Sequence, residues 1–458
     1  MVLEKSIREI INGYREKEFS PVEILEEYVK QIKTHNPKLN AFITVNEEKA
    51  FDQAVISEKR IMEGGDIRIL EGIPISYKDN IDTKGILTTS GSVIHKNRIP
   101  ESNASVVEAL NSEGAVNIGK TNMYEFAFGI TSKNSFFGDI KNPWNDNVTA
   151  GGSSGGSAVA VAANLCMGSI GTDTAGSIRV PSSCCGVIGL KPTYDLINMS
   201  GIKPLSNSLD HTGPIARNVE DLAIMMEAIT KKTFTNNCIS DIRGMRIGVP
   251  KQYFYERVDN DVLSFYKNAL STFERLGALI VELEIPNFDD PRKIAHILAT
   301  SEVGYFHSEL INLSLSQYSE EAINTFDKSK SISAHSYIDG LNKRAQMTRD
   351  LSKLFEFVDI LVTPTMPIGP PDIGIKEFLL AGEMESIDEC MIRFTCLFNI
   401  TGHPALSIPC GLSHGSVPIG LQLIANHHRE DLLIRNAHSY EQAMLLDFYK
   451  VREKIVKN

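Results

Sequence analysis

Two apolar runs with an amphipathic stretch between them, from Met245 to Glu284, constrain this chain more than any other feature. The first run is Met245 to Val249 and the second is Ala278 to Glu284. Between them Val262, Phe265, Ala269, Phe273 and Leu276 recur at helical spacing, and Gly277 ends the pattern. Strand, helix and strand in that order point to an α/β fold, because parallel strands need a long crossover and a helix supplies it. The rest of the chain fits that class. Ser20, Pro21 and Glu23 spell a capped helix start, and Ile24, Leu25, Tyr28, Val29 and Ile32 share one face, so residues 1–60 read as an N-terminal helical segment. Gly72 to Asp82 reads as a strand running into a turn, Ser105 to Ser112 as helix and Ala115 to Gly119 as strand. Residues 144–157 read as loop, Ala158 to Gly168 as a small-residue helix and Gly171 to Ser183 as a second loop. Residues 291–357 are mostly helical by pattern, and Asp359 to Val362 and Ala405 to Pro409 are short apolar strands. No repeat, low-complexity tract or linker breaks the sequence, so one α/β domain over residues 1–458 is the simplest organisation.

Charge and cysteine usage exclude several function classes. The formal net charge is −11, which disfavours a nucleic-acid or anionic-membrane binder, since both need concentrated Lys and Arg. Seven cysteines include the neighbours Cys184 and Cys185, and none shows metal-ligand spacing. Reduced thiols and a cytoplasmic setting are expected. The start is charged and amphipathic, unlike a signal peptide, and no apolar run is long enough to span a bilayer.

Three segments call for a chemical explanation. In Gly72-Ile-Pro-Ile-Ser-Tyr-Lys78, a lysine ends an apolar strand. Burial there would lower its pKa and make a neutral base, although such a lysine more often snorkels to water. In Thr149-Ala-Gly-Gly-Ser153-Ser154-Gly-Gly-Ser157, the glycine density permits unusual backbone angles and close approach to a ligand. A Gly/Ser linker is the plain alternative, but the stretch is short and sits between patterned segments. In Gly171-Thr-Asp173-Thr-Ala-Gly-Ser177-Ile-Arg179, a serine follows a turn of small residues whose N–H groups could converge on one point. That is what an oxyanion hole needs, with Asp173 and Arg179 placed to brace the turn. A lone loop serine is usually structural, so this segment alone decides nothing.

Taken in order, the three segments resemble the amidase signature family. Ser153 and Ser177 lie 24 residues apart, as the family pattern has it. Further matches run along nearly the whole chain: Gly119-Lys-Thr-Asn-Met, Gly189-Leu-Lys-Pro-Thr, Ser208-Leu-Asp-His-Thr-Gly-Pro, Thr363-Pro-Thr, Thr401-Gly-His-Pro-Ala and Gly420-Leu-Gln-Leu. The resemblance implies a single large α/β domain with a twisted, mixed central sheet covered by helices on both faces. It places the catalytic core at residues 70–215. It implies hydrolysis of a small-molecule amide in which Ser177 is the nucleophile and forms an acyl-enzyme. Ser153, after a cis peptide at Gly152, would relay the proton to Lys78 as base. Backbone N–H groups of Thr174, Ala175, Gly176 and Ser177 would hold the oxyanion, and Ser154, Asp173 and Arg179 would support the loops. The substrate pocket is expected from Tyr124, Phe128, Gly129, Ile130, Thr131 and Gly152, from the segment after Tyr194, and from the variable helical region 291–357. No metal and no cofactor is implied, and a homodimer is common in the family.

Three rival readings have footholds. Gly114-Ala-Val-Asn-Ile-Gly119-Lys120-Thr121 matches the phosphate-binding P-loop pattern, but a helix precedes it and its middle residues read as strand, the reverse of what a P-loop requires. Gly152-Ser153-Ser154-Gly155-Gly156 matches the nucleophile elbow of an α/β-hydrolase esterase with Ser154 as nucleophile, but a loop stands where that motif needs a strand. The third is the glutaminase (A) subunit of a tRNA-dependent amidotransferase, from which the matching tail of Asn399 to Leu423 does not separate this chain. Such proteins usually have Asp where Tyr124 stands, suited to the ammonium of glutamine, and an Arg-Tyr-Gly segment that is absent here. A stand-alone amidase is therefore the favoured expectation. Two departures bear on the pocket: Asp195-Leu-Ile replaces a common Gly-Arg-Val, and Ala175 replaces a frequent glycine while keeping its N–H.

Overall fold

The computed structural model describes residues 2–239, 241–286, 288, 290–310, 315–413 and 416–455. Its strands, in chain order, begin with β1 (Phe42–Val45), β2 (Pro74–Lys78), β3 (Val116–Thr121), β4 (Gly168–Asp173), β5 (Ile188–Lys191) and β6 (His211–Ala216). They continue with β7 (Arg246–Pro250), β8 (Leu279–Leu283), β9 (Ile360–Pro364), β10 (Glu377–Leu380), β11 (Glu383–Ser386), β12 (Ala405–Leu412) and β13 (Pro418–Ala425). Eleven of them form one sheet in the spatial order β1-β3-β2-β4-β6-β5-β12-β13-β9-β7-β8, and β10 and β11 make a separate hairpin.

The sheet is mixed. Strand β2 runs parallel to β3 and β4, and β7 runs parallel to β8 and β9, while β4, β6, β5, β12 and β13 alternate. The crossover from Met245 to Glu284 forms as its pattern requires: Asp259 caps the helix Asn260–Arg275, which joins parallel β7 and β8. Every residue of β2, β3, β4, β5, β6, β9 and β13 is buried, as expected of central strands flanked by helices, whereas edge strand β8 has no buried residue. The helix Ser105–Ser112 has the bounds its sequence predicts, and the capping box at Ser20 and Glu23 opens the helix Pro21–Leu39. Residues 291–357 include the helices Pro291–Phe306, Glu320–Ser329 and Ala334–Leu354, and their positions 311–314 lie outside the described residues. No helix of the described residues is long and apolar enough to cross a membrane.

The structure differs from the sequence reading around the glycine-rich segments. The small-residue helix is Gly155–Ala162, not Ala158 to Gly168, and Gly168 opens β4. The expected loop from Gly171 to Ser183 contains the end of β4 and most of the helix Arg179–Cys185. Gly-Ser-Ile-Gly-Thr-Asp has little intrinsic strand preference; its neighbours on either side, β2 and β6, impose it. For the same reason β5, β6 and β13 are strands without a readable alternation.

Candidate active site

Strands β2 and β4 are parallel neighbours, with Tyr77 beside Ile170, so their last residues, Lys78 and Asp173, arrive at the same edge of the sheet. Ligands in open α/β sheets collect beyond such carboxyl ends. Two turns emerge there. One leads through Ser153 and Ser154 into the helix Gly155–Ala162, and the other through Thr174 to Ser177 into the helix Arg179–Cys185. The Ser154 N–H donates to the Ser177 carbonyl at 3.2 Å, which locks the turns together. The peptide bond between Gly152 and Ser153 is cis. Gly152 has no room for a side chain, since a Cβ would stand 2.0 Å from the Thr131 carbonyl oxygen.

Lys78 is fully buried, and its partners are hydroxyls: Nζ donates to Ser153 Oγ and to Thr172 Oγ1, each at 2.7 Å. Burial pushes its pKa down from an ordinary lysine's 10.5 to about 7, against the opposing charges of Asp210 and Asp173. Burial thus favours the neutral amine, next to a serine hydroxyl.

The turn carrying Ser177 is braced from below. Asp173 Oδ1 accepts the Gly176 N–H at 2.7 Å and Oδ2 accepts the Ile178 N–H at 3.1 Å. Arg179 pairs with both carboxylate oxygens, through Nη2 at 2.9 Å and Nε at 3.0 Å, and reaches Gln422 Oε1 and Asn399 Oδ1. Burial would raise the Asp173 pKa, but the charge and hydrogen bonds of Arg179, with those of Asn399, hold it well below the usual carboxylate range. Gly176 has φ +138, and a Cβ there would lie 2.4 Å from Thr395 Oγ1, so the turn needs glycine. The expectation of four free N–H groups is corrected in one respect: the Gly176 N–H is engaged by Asp173 because the brace folds the carboxylate back under the turn.

Ser177 opens onto a cavity of about 380 Å³. Tyr124, Phe128, Gly129 and Ile130 line it, as the sequence suggested, and Thr174 and Ala175 of the turn join them. Thr131 and Gly152 do not, because they pack against each other behind the wall. Neither does the segment after Tyr194; its place is taken by Leu205 and Leu209. The tyrosine itself is turned toward Asn207, whose carbonyl accepts its hydroxyl at 2.6 Å. The helical region contributes Ala295, Ala299 and Val303 from one helix and Glu321, Thr325 and Lys328 from another. Asp388, Glu389 and Ile392 complete the wall and carry no signal in the sequence. Burial raises the Tyr124 pKa, and the charges of Glu321 and Asp388 raise it further. A larger cavity of about 640 Å³ opens elsewhere, around Tyr253, Arg292 and Arg393, and is not lined by Ser177.

Neither small-motif rival has its geometry. Lys120 is buried within β3, where Nζ donates to the Ile81 carbonyl and to Thr88 Oγ1, and no helix opens at the glycines before it. Ser154 is fully buried, with Oγ donating to the Thr172 carbonyl at 3.0 Å and accepting the Thr172 N–H at 3.2 Å, and no strand precedes it.

Comparison with known proteins places the site in context. Residues 23–434 match the family model described as Amidase. The glutamyl-tRNA(Gln) amidotransferase A subunit of Nitrosomonas europaea is 35% identical over 96% of this chain and 97% of its own length. The structure of the corresponding Thermotoga maritima protein superposes with a TM-score of 0.81 at 29% identity, covering 97% of this chain and 96% of that one. A bacterial aryl acylamidase superposes with a TM-score of 0.89 at 25% identity, covering 99% and 98%. With the family model spanning most of its length and its fold shared with such enzymes, the chain belongs to the amidase signature family, whose members act on C–N amide bonds.

Proposed function

We propose that this protein hydrolyses a carboxylic amide of a small molecule through an acyl-enzyme on Ser177, with Ser153 as proton relay and Lys78 as base. The observation that supports this most is Lys78: a fully buried amine, 2.7 Å from Ser153 Oγ, with a pKa pushed down to about 7. Ser177 Oγ attacks the carbonyl carbon while its proton passes to Ser153, whose own proton passes to Lys78. Main-chain N–H groups of the turn, those of Ala175 and Ser177 among them, stabilise the oxyanion. Lys78 then returns the proton through Ser153 to the leaving nitrogen, the C–N bond breaks, and water attacks the acyl ester by the reverse path.

A second reading has its own support. The curated relatives bear the name of the amidotransferase A subunit, which favours a glutaminase working with partner proteins more directly than it favours a stand-alone amidase. The cavity lining also includes Lys328 and the acids Glu321, Asp388 and Glu389, charges of both signs such as the carboxylate and ammonium of glutamine would need. Against it stands Tyr124, which puts an aromatic ring and a weak acid where a carboxylate would serve the ammonium.

Intact-mass analysis after treatment with a fluorophosphonate tests the chemistry. One adduct, lost in Ser177→Ala and kept in Ser154→Ala, is expected. An adduct lost only in Ser154→Ala would sink the mechanism. Competition against the probe by glutamine and by a panel of aryl and alkyl amides then separates the readings: glutamine as the strongest competitor, with ammonia released, would establish the second.

A further inference from the structure

Behind the oxyanion turn lies a hydrogen-bonded chain that the mechanism above does not use. Thr174 lines the cavity, and its Oγ1 donates to Asp210 Oδ1 at 2.7 Å. The other oxygen of Asp210 accepts the N–H groups of Leu205 and Ser206, at 2.8 and 2.9 Å. Ser206 Oγ donates in turn to Glu302 Oε2 at 2.6 Å, and the Ser208 N–H reaches the same oxygen at 3.1 Å. Tyr337 donates to Glu302 Oε1 at 2.8 Å. Glu302 belongs to the helix Pro291–Phe306, which supplies Ala295, Ala299 and Val303 to the cavity, and Tyr337 belongs to the helix Ala334–Leu354. Both carboxylates are buried, and each is met by donors alone.

We propose that Asp210 and Glu302 form a strut tying the oxyanion turn to the helical wall of the substrate cavity, so that Asp210 is a positioning residue for acylation. Three features support it. The hydroxyl of Thr174 is aimed away from the cavity at Asp210, so its contribution is to hold the turn, not to touch substrate. Asp210 stands immediately before β6, whose first residue, His211, pairs with Asp173, so the strut grips the turn at the point where it leaves the sheet. Leu205 and Leu209, which line the cavity, lie on the short segment between the two carboxylates, so an occupant pressing on them presses on the strut. Burial pushes the Asp210 pKa up to about 6 despite its three donors, which leaves it ionised at neutral pH. A donor set of amides and hydroxyls on an ionised carboxylate is strong and directional.

The inference rests on Ser177 being the nucleophile, and the test is arranged to tell the two apart. The probes are a fluorophosphonate, read as its second-order rate of labelling, and p-nitrophenyl acetate, read as kcat and KM. Wild type is compared with Thr174→Val, Thr174→Ser, Asp210→Asn and the double variant Thr174→Val/Asp210→Asn. Valine removes one hydroxyl at nearly constant shape, whereas serine keeps it. Asparagine keeps the shape of Asp210, but its amide nitrogen either faces the Leu205 and Ser206 N–H groups, which then lose their acceptor, or faces Thr174, whose hydroxyl must turn round to accept. Removing an oxyanion donor outright costs about 10²–10³-fold, and loosening the turn that carries the donors is expected to cost about tenfold. Thr174→Val and Asp210→Asn should each slow labelling by that amount with KM within about twofold, and the double variant should be no slower than the slower single one, because both cut the same chain. Thr174→Ser should restore the rate. Labelling of Thr174→Val at the wild-type rate, effects that multiply in the double variant, or failure of serine to rescue would each overturn the strut. Folded wild type that takes no label at Ser177 would remove the nucleophile itself, and the strut with it, before any variant is compared.

Discussion

Lys78 should destabilise the protein that uses it. A base whose folded pKa lies below its unfolded value binds a proton in the unfolded chain before it does in the folded one. For Lys78 that window runs from an ordinary 10.5 down to about 7. The sign follows directly: stability is unaffected by this group above the window, falls as the pH drops through it, and stays lower by a constant amount beneath it. At 1.36 kcal/mol per tenfold, the window corresponds to about 4 kcal/mol at pH 7, where the folded group is half titrated. Replacing Lys78 by Met removes this cost but takes a partner from Ser153 and Thr172, and an unmet buried hydroxyl costs roughly 1–3 kcal/mol. Thr172 keeps Asn80 as a donor at 3.3 Å, so one full penalty is the fair charge and a net gain of about 1–3 kcal/mol remains. Thermal unfolding of wild type and Lys78→Met, at one scan rate and at intervals from pH 6 to pH 10, reads this out. The inactive variant should unfold at the higher temperature at pH 7, and its advantage should shrink steadily toward pH 10. An equal or lower midpoint at pH 7, or a difference that does not change with pH, would refute a buried neutral lysine.

The remaining predictions concern the same residues. Acylation should lose about tenfold per pH unit below about 7, where Lys78 is protonated and cannot accept, and should level off above it; a limb centred near 10 in single-turnover labelling would point to an ordinary lysine. Arg179→Met leaves the Asp173 carboxylate buried without its cation and should cost about 3–5 kcal/mol, measured by denaturant unfolding. Ser154→Ala removes a side chain that bonds both the N–H and the carbonyl of Thr172, so it should lower stability by about 1 kcal/mol while leaving labelling of Ser177 in place.

What the sequence disclosed depended on the range of the forces involved. The crossover from Met245 to Glu284 was legible because its helix buries one face and repeats every turn. The segments that carry Lys78, Ser153 and Ser177 were legible because each is a short stretch whose unusual composition has a local cause: a strand end, a close backbone approach and a turn at positive φ. The strand Gly168–Asp173 was not, since its residues favour turns and only β2 and β6 hold it extended. The cavity wall was half legible. Tyr124 to Ile130 follow a motif, but Asp388, Glu389 and Ile392 reach the cavity from more than two hundred residues beyond Ser177, and nothing local marks them as neighbours of a serine.

The same distinction explains why the brace beneath the proposed nucleophile uses arginine. Its planar head has five N–H donors, and all of the guanidinium nitrogens of Arg179 are engaged: Nε with Asp173, Nη1 with the Thr395 carbonyl and Gln422, and Nη2 with Asp173 and Asn399. Those partners come from β4, from the helix Cys396–Ile400 and the residue before it, and from β13, so one side chain joins the turn that carries Ser177 to the far half of the sheet. A buried ion pair by itself adds little net stability, because desolvation consumes most of the attraction. Its contribution here is geometric. Asp173 can bend back under the turn and accept the Gly176 N–H only while its charge is met from the other side, and that bend holds the turn in shape. Lysine at position 179 would supply the charge but at most three donors from a single atom, leaving Asn399 and Gln422 without the partner they now share. The turn would keep its cation and lose its register. A cation that matches Arg179 in charge alone therefore does not match it in function, and Arg179→Lys is expected to slow labelling of Ser177 although the ion pair survives.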